Sequence, residues 1–190
     1  MALSKQKLVD GLKDAFTKAK EVEEKTKKDS EGNDIKVSEA KNSQSDIAGF
    51  IADAIVSYAA DAEVTISLQF TVTAGGAPDP SVVGAKLKVT TAQAGKPALQ
   101  SAILTSMNTQ DVAMTAITSG IVAYTAASFI AFAGGTITAA GVSVMAVPPL
   151  LVAPLAVGIA GGEEDDVINA MATVIHTSFL GTTFTGVGAN

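Results

Sequence analysis

The stretch SDIAGFIADAIVSYAADAEVTISLQFTVT (residues 45–73) changes its hydrophobic period half-way along. As far as Tyr58, the apolar residues recur every three or four positions, which is the spacing of one face of a helix. From Val64 onward they alternate strictly with Thr, Ser and Gln, which predicts a half-buried β-strand over 64–73. A helix followed closely by a strand indicates a fold in which helices pack on a sheet.

The sequence on either side of this stretch extends the same pattern. Before this stretch we predict an amphipathic helix over 4–26 and a solvated loop over 27–43. After it we predict a second strand over 85–91, which forms a loose hairpin with the first, and helices over 98–107 and 112–127. An extended segment around 129–137 and a last helix over 167–179 follow, and this helix leads into a short strand or tail. The predicted fold class is therefore α+β, with amphipathic helices packed on short, mostly antiparallel strands.

An internal similarity supports this organisation. Residues 51–64 align without gaps to residues 117–130, and the alignment matches Tyr58 with Tyr124. This predicts a helix–helix–strand unit used twice, with a weaker third copy near the C-terminus. Chance similarity between Ala-rich helices is the alternative. The corresponding division is an N-terminal unit over 1–95 and a C-terminal apolar unit over 96–190, or one compact domain.

Helix caps are predicted from side chains that can accept a hydrogen bond from the first turn. Ser4 is expected to cap the first helix, and Ser45 or Asp46 the helix that follows. Asp165 or Asp166 is expected to cap the last helix.

The composition excludes several functional classes. The chain contains no Cys, so disulfides and thiolate metal sites are absent. All 13 basic residues are Lys, and the net charge of −6 argues against nucleic-acid binding. The N-terminus is charged and amphipathic, and it is not expected to act as a signal peptide.

The segment GVSVMAVPPLLVAPLAVGIAGG (141–162), here called the apolar arm, is the most unusual part of the chain. It is long enough to cross a bilayer, but its three prolines break a helix and no Lys or Arg anchors either end. We therefore expect it to contact protein, with a neighbouring subunit as the simplest partner. The predicted assembly residues are Val144, Val147, Pro148, Pro149, Leu150, Leu151, Pro154 and Leu155.

No catalytic or cofactor site can be built from the sequence. The carboxylates at 163–166 are adjacent, whereas calcium loops space their ligands around a glycine, so a role at a helix start is the better interpretation. His176 is the single histidine, and a structural hydrogen bond is expected of it rather than catalysis. The three AGG sequences lack a following phosphate-loop lysine and are interpreted as turns. We expect no enzyme activity, metal or cofactor.

Two segments carry a resemblance to a known class of proteins. A Lys-rich first helix, then DIAGFIADAIVSYAADAEVTI (46–66) with a Thr-rich strand after it, and the tail VIHTSFLGTTFTGVGAN (174–190) resemble small virion proteins encoded among the structural genes of contractile-tailed bacteriophages. The resemblance covers residues 4–73 and 111–190. The resemblance implies a non-enzymatic subunit of a neck, tail, baseplate or capsid surface, located in the virion. Its partners would be copies of itself and other virion proteins. It specifies no site residue.

Two other classes remain open at this stage. One is a membrane-active or pore-forming protein that uses 112–160 as an apolar hairpin, although membrane insertion is disfavoured by the prolines. The other is a small hydrolase or binding module, which polar groups converging around His176 would favour.

Overall fold

The computed structural model describes residues 3–65, 70–71, 78–79, 84–109, 113–134, 137–145, 148 and 163–186. The helices in these ranges are α1 (Lys5–Ala19), α2 (Gln44–Ala59), α3 (Lys96–Asn108), α4 (Ala113–Ser128) and α5 (Glu164–Leu180). The strands are β1 (Val22–Lys28), β2 (Asp34–Ala40), β3 (Glu63–Thr65), β4 (Phe70–Thr71), β5 (Pro78–Asp79), β6 (Lys86–Val89), β7 (Ala131–Gly134), β8 (Ile137–Met145) and β9 (Thr182–Gly186).

The main sheet is antiparallel and has the strand order β3-β6-β7-β8-β9, so it takes strands from both halves of the chain. Leu87, Val89 and Phe132 are buried on one face, whereas Lys86 and Lys88 alternate with them and are exposed. This alternation is the signature of a sheet with one face on the core. The predicted α+β fold is confirmed.

The helices pack on one another, and α4 also packs against β8. α1 packs against α2 and α5, α2 also packs against α3, and α3 packs against α4. Two glycines allow close approach: a Cβ added at Gly120 of α4 would lie 2.4 Å from the Cβ of Ala102 in α3, and one at Gly134 of β7 would lie 2.3 Å from the carbonyl oxygen of Lys86. Buried side chains of all five helices and of the sheet form one continuous core.

The element order can be compared with the predicted helix–helix–strand repeat. β3 follows α2, β7 follows α4 and β9 follows α5, but the β1–β2 hairpin separates α1 from α2, and β4, β5 and β6 lie between β3 and α3. Tyr58 and Tyr124, which the sequence alignment matches, lie in the last turns of α2 and α4, and both are buried. The repeat itself stays a prediction.

The prediction of a loop over 27–43 was wrong. β1 and β2 form an antiparallel hairpin whose register runs from Val22 opposite Ala40 to Lys28 opposite Asp34, and the predicted helix over 4–26 accordingly ends at Ala19. Every side chain of the hairpin strands is exposed or half-buried, so no apolar alternation marks them in the sequence.

The hairpin turn is closed by the carboxylate of Asp29. Its Oδ1 accepts 2.9 Å hydrogen bonds from the backbone N–H groups of both Glu31 and Asn33. Gly32 takes a positive φ of 87°, which glycine adopts without strain.

Two of the three predicted caps need correction. Ser4 does cap α1 and accepts from the Lys7 N–H. The cap of α2 is Ser43 rather than Ser45 or Asp46, because Ser43 and Asp46 form a reciprocal capping box in which Asp46 is the third helical residue.

The start of α5 was also predicted at the wrong residue. Glu163 occupies the cap position without a side-chain hydrogen bond, and Asp165 and Asp166 lie inside the first turn together with Glu164. The three carboxylates still lie at the positive end of the helix dipole, as expected.

The predicted strand over 64–73 is described only in part. Val64 is half-buried and Thr65 is exposed, which agrees with the predicted alternation. Ile66, Leu68 and Val72 lie outside the described residues, as does the side chain of Phe70. The second predicted strand, over 85–91, is confirmed as β6 and pairs antiparallel with β3.

Candidate functional site

An apolar cavity of about 200 Å³ lies between all five helices. Its wall consists of Phe16 from α1, Ile51 and Ile55 from α2, Ile103, Ser106 and Met107 from α3, Ile117 from α4, and Val167, Met171 and Ile175 from α5. Among these residues, Ser106 has the one polar side chain. Its hydroxyl donates to the carbonyl oxygen of Ile103 at 2.6 Å, so it is already satisfied.

The wall of the cavity combines buried and half-buried side chains. Ile55, Ile103 and Ile175 are buried. Phe16 and Met107, in the last turns of α1 and α3, and Val167, in the first turn of α5, are half-buried.

This wall suits an apolar group and offers nothing to a polar one. An engineered cavity of about 150 Å³ with a similar aliphatic and aromatic wall stays dry and binds benzene. The present cavity is of the same order of size, so it can accept one or two aliphatic side chains. A charged or strongly hydrogen-bonding ligand would lose its hydration without gaining a partner.

His176 makes the structural hydrogen bond that was expected of it. Its Nδ1 lies 2.7 Å from the hydroxyl of Tyr58, and the Tyr58 ring packs edge-on against Phe179. Burial raises the pKa of Tyr58. Burial, with a smaller effect from the charge of Lys5, lowers the pKa of His176. Both groups are therefore neutral near pH 7. His176 lies outside the walls of both cavities described here.

A second, polar groove of about 360 Å³ lies between α1 and α2. Its acidic side chains are already engaged. Lys18 pairs with Asp14 at 2.6 Å, Lys96 pairs with Asp53 at 2.6 Å, and Asp10 accepts from Gln6. The groove is therefore a solvated, charge-balanced surface.

No metal centre is found in the part of the chain that the structure describes, where no three His, Asp or Glu side chains are arranged to hold an ion. The carboxylates near 163 instead bind the neighbouring helix. Asp165 pairs with Lys13 at 3.0 Å, and Glu164 pairs with Lys20. These ion pairs fix the start of α5 against the end of α1.

Two of the eight predicted assembly residues, Val144 and Pro148, lie among the residues that the structure describes. Val144 lies in β8, where its backbone is opposite Thr183, so the first five residues of the apolar arm belong to the sheet rather than to a projecting segment. Pro148 is exposed. Val147, Pro149, Leu150, Leu151, Pro154 and Leu155 lie outside the described residues.

The sequence did not predict the cavity. Its wall residues occupy ordinary apolar positions of amphipathic helices, and the pattern cannot distinguish a core side chain from one that lines an opening. Only the packing of the five helices shows which of these side chains line a cavity.

Across the described residues, no helix combines the length and the apolar character required to cross a membrane.

Comparisons of the chain with protein-family models, with curated proteins and with solved structures found no match.

Proposed function

We propose that this chain is a non-enzymatic structural subunit of a bacteriophage particle, in its neck, tail or baseplate or on its capsid, and that its copies assemble through apolar surfaces. The observation that carries the proposal is the apolar cavity lined by residues of all five helices. A cavity of this kind offers apolar surface to another protein, and apolar surfaces that water reaches commonly mark contacts with other proteins.

The charge distribution supports association of this kind. No charged residue occurs between Asp111 and Glu163, and this interval includes the whole apolar arm. Burial of apolar surface stabilises a contact by roughly 25 cal/mol per Å² and needs no charge complementarity. The resemblance of residues 46–66 and 174–190 to virion proteins of contractile-tailed phages suggests where such a subunit would be used.

The membrane-active alternative uses 112–160 as an apolar hairpin. Ile121 and Tyr124 of α4 and Met145 of β8 are buried in the core of the protein itself. A large part of this interval therefore contributes to the fold, which favours the assembly proposal over a hairpin free to insert into lipid.

The distal segment of the arm, residues 149–159, is the part to alter in a test. A variant would carry a Gly/Ser linker of the same length in its place, so that β8 and α5 remain connected. We expect the wild type to sediment as an oligomer without detergent and the linker variant to sediment as a monomer with an unchanged circular dichroism spectrum. A monomeric wild type, or a linker variant that assembles equally well, would overturn the proposal.

Salt and lipid provide two further measurements on the same proteins. Because apolar contacts are not screened, the wild-type oligomer should persist in about 1 M NaCl, where the Debye length is about 3 Å. It should also remain unbound when floated with phospholipid vesicles. Flotation with the vesicles would support the membrane-active alternative instead.

The virion location needs its own experiment. Antibody labelling of purified particles of the phage that encodes the chain should decorate one structural feature at a constant copy number. Particles that lack the chain would contradict the location, even if the purified protein assembles.

A further inference from the structure

The β1–β2 hairpin, residues 22–40, makes few contacts with the rest of the described protein. Its strands pack on each other, and neither packs on a helix or on another described strand to a comparable extent. Val22 is 64% exposed, and Ile35 on the other strand is also exposed. An isolated two-stranded hairpin is marginally stable in water, whereas further strands or a covering element stabilise it. The hairpin would therefore gain stability from pairing with another strand.

The backbone groups of β1 that point away from β2 can be assigned from the two ends of the ladder. The N–H of Lys41 donates to the carbonyl oxygen of Glu21 at 2.9 Å, and the N–H of Asp29 donates to that of Asn33 at 2.9 Å. Antiparallel strands exchange hydrogen bonds at every second residue. The odd-numbered residues of β1 therefore point their backbone groups at β2, and the residues whose groups point outward are Val22, Glu24, Thr26 and Lys28.

These outward-pointing groups lie along one edge of the hairpin. In the described part of the chain, β2 is the one strand that pairs with β1. A row of N–H and C=O groups at the edge of a sheet is a template on which a strand of another chain can pair. The sequence of β1 indicates which strand suits this edge.

The order of charges along β1 suits antiparallel pairing with a second β1. The first half of the strand is acidic, with Glu23 and Glu24, and the second half is basic, with Lys25, Lys27 and Lys28. Antiparallel pairing reverses one strand, so the acidic half of each copy lies opposite the basic half of the other. Opposite charges directly across a sheet stabilise the pair, and like charges destabilise it. Parallel pairing would instead bring the halves of like charge together.

We propose that β1 of one copy pairs antiparallel with β1 of a second copy and joins two hairpins into one sheet of order β2-β1-β1-β2. The register that engages every outward-pointing backbone group places Val22 opposite Lys28 of the second copy, and Glu24 opposite Thr26. The aliphatic part of the Lys28 side chain then covers the exposed Val22. The contact is isologous, so it closes after two copies.

The side chains of the odd-numbered residues complete this contact. Glu23 lies opposite Lys27 of the second copy, and the two-fold axis repeats the pair. Lys25 lies on the axis opposite the same residue of the second copy. Within its own copy Lys25 is paired with Glu23 at 2.7 Å and with Glu39 at 3.6 Å, so carboxylates compensate the like charges at the axis.

The outer edge of β2 lacks this complementarity. In a full-length antiparallel pair of two β2 strands, each charged residue lies opposite an uncharged one, and these charged residues are Asp34, Lys36 and Glu39. Charge would therefore add nothing to the pairing of two β2 strands. The edge of β1 is the one that its own sequence complements.

The β1 contact goes beyond the proposed function, because it involves neither the apolar cavity nor the apolar arm. A contact through one strand edge is smaller than the roughly 1,000 Å² expected of a stable interface. It therefore adds to the apolar contacts of an assembly, and it does not hold the linker variant together at micromolar concentration.

Disulfide cross-linking tests the pairing directly, because the chain contains no cysteine. In the proposed register, residue 25 faces itself at a site where Cα atoms lie about 4.5 Å apart, and disulfides span about 4.4–6.8 Å. Mild oxidation of the Lys25→Cys protein should therefore give a reducible dimer. Lys36→Cys on β2 is the matched control, since both β1 strands separate the two copies of residue 36. Equal yields of dimer from the two proteins would overturn the proposal.

Charge reversal tests the register. In the Lys25→Cys protein, the further change Glu23→Lys places lysines opposite each other across the two copies and should slow disulfide formation about tenfold. The hairpin itself should remain folded, with an unchanged circular dichroism spectrum, because residue 23 lies opposite Glu39 within each copy. Addition of Lys27→Glu recreates opposite charges and should restore the rate. If Glu23→Lys has no effect, or if Lys27→Glu fails to rescue it, the proposed pairing is wrong.

Salt separates this contact from the apolar assembly of the proposed function. Because about 1 M NaCl shortens the Debye length to about 3 Å, disulfide formation by Lys25→Cys should slow while the wild-type oligomer persists. If the wild type assembles, the linker variant is monomeric and Lys25→Cys gives no more dimer than Lys36→Cys, β1 pairing is wrong and the proposed function stands. If the wild type is monomeric but Lys25→Cys alone cross-links, the proposed function fails and β1 pairing stands.

Discussion

The hydroxyl of Tyr58 in α2 lies 2.7 Å from Nδ1 of His176 in α5 and connects two helices that are far apart in sequence. Tyr124, at the matching position of the repeat, instead donates at 2.8 Å to the carbonyl oxygen of Ala92. Both tyrosine rings pack around Phe179, with centroid distances of 5.5 and 6.4 Å. Both rings therefore belong to the core, whereas each hydroxyl has a different partner.

Removal of the two tyrosine hydroxyls should lower the free energy of unfolding by different amounts. Tyr58→Phe leaves Nδ1 of the half-buried His176 without its hydrogen-bond partner, and water can partly replace that partner, so we expect a loss of about 1 kcal/mol in the free energy of unfolding. Tyr124→Phe removes the donor to the carbonyl of the buried Ala92, and we expect a larger loss, up to about 3 kcal/mol. Urea denaturation at equal protein concentration measures both. The reverse order would contradict this account of burial.

Stability should depend on pH through His176. Because its pKa is lowered in the folded protein, the unfolded chain, with a pKa of about 6.5, binds the proton more readily. The contribution of His176 to the free energy of unfolding should therefore be fully present above about pH 6.5 and should be lost as the pH falls toward the pKa of the folded state. His176→Gln, which keeps an acceptor for Tyr58, should lack this dependence between about pH 7 and 5. Parallel profiles for the two proteins would show that His176 does not titrate differently on folding.

The contact between α3 and α4 should tolerate no side chain at Gly120. Gly120→Ala places a Cβ 2.4 Å from that of Ala102, so the helices must separate, at a cost of about 1–3 kcal/mol. Gly49→Ala in α2 is the matched control, because its nearest neighbour is the flexible side chain of Gln100 at 3.3 Å. The gain in helix propensity, about 0.5–1 kcal/mol, should make that variant neutral or more stable. Thermal unfolding of both variants provides the comparison.

Most of the fold could be predicted because burial leaves a periodic pattern. Every predicted helix is present. β6 lies in the predicted strand over 85–91, and β9 lies in the segment that was predicted as a short strand or tail. The β1–β2 hairpin was missed for the same physical reason: neither of its faces is buried, so its side chains are selected for solubility and pairing rather than for alternation. The cavity was missed because it depends on how five helices pack together, which the sequence of one helix does not encode.

The cap of α2 shows how a local rule can select the wrong serine. Ser43, Ser45 and Asp46 all have the chemistry of a cap, but only Ser43 has an acidic residue three positions later to complete the capping box. Ser43→Ala should therefore lower stability by about 1 kcal/mol, and Ser45→Ala should change it by less than about 0.5 kcal/mol. Equal losses in denaturant titrations would mean that the capping box does not form in solution.

The β1–β2 hairpin should be dispensable for folding of the rest of the protein. Its ion pairs, such as Lys36 with Glu24, are exposed, and pairs of this kind contribute about 0–1 kcal/mol each. The N–H of Lys41 donates to the carbonyl oxygen of Glu21 at 2.9 Å, so the two ends of the hairpin are already adjacent and a short Gly-containing turn can replace residues 22–40. We expect the shortened protein to unfold cooperatively, with a midpoint within a few degrees of the wild type in calorimetry. A broad transition or a large drop in the midpoint would show that the hairpin supports the packing of α1 on α2.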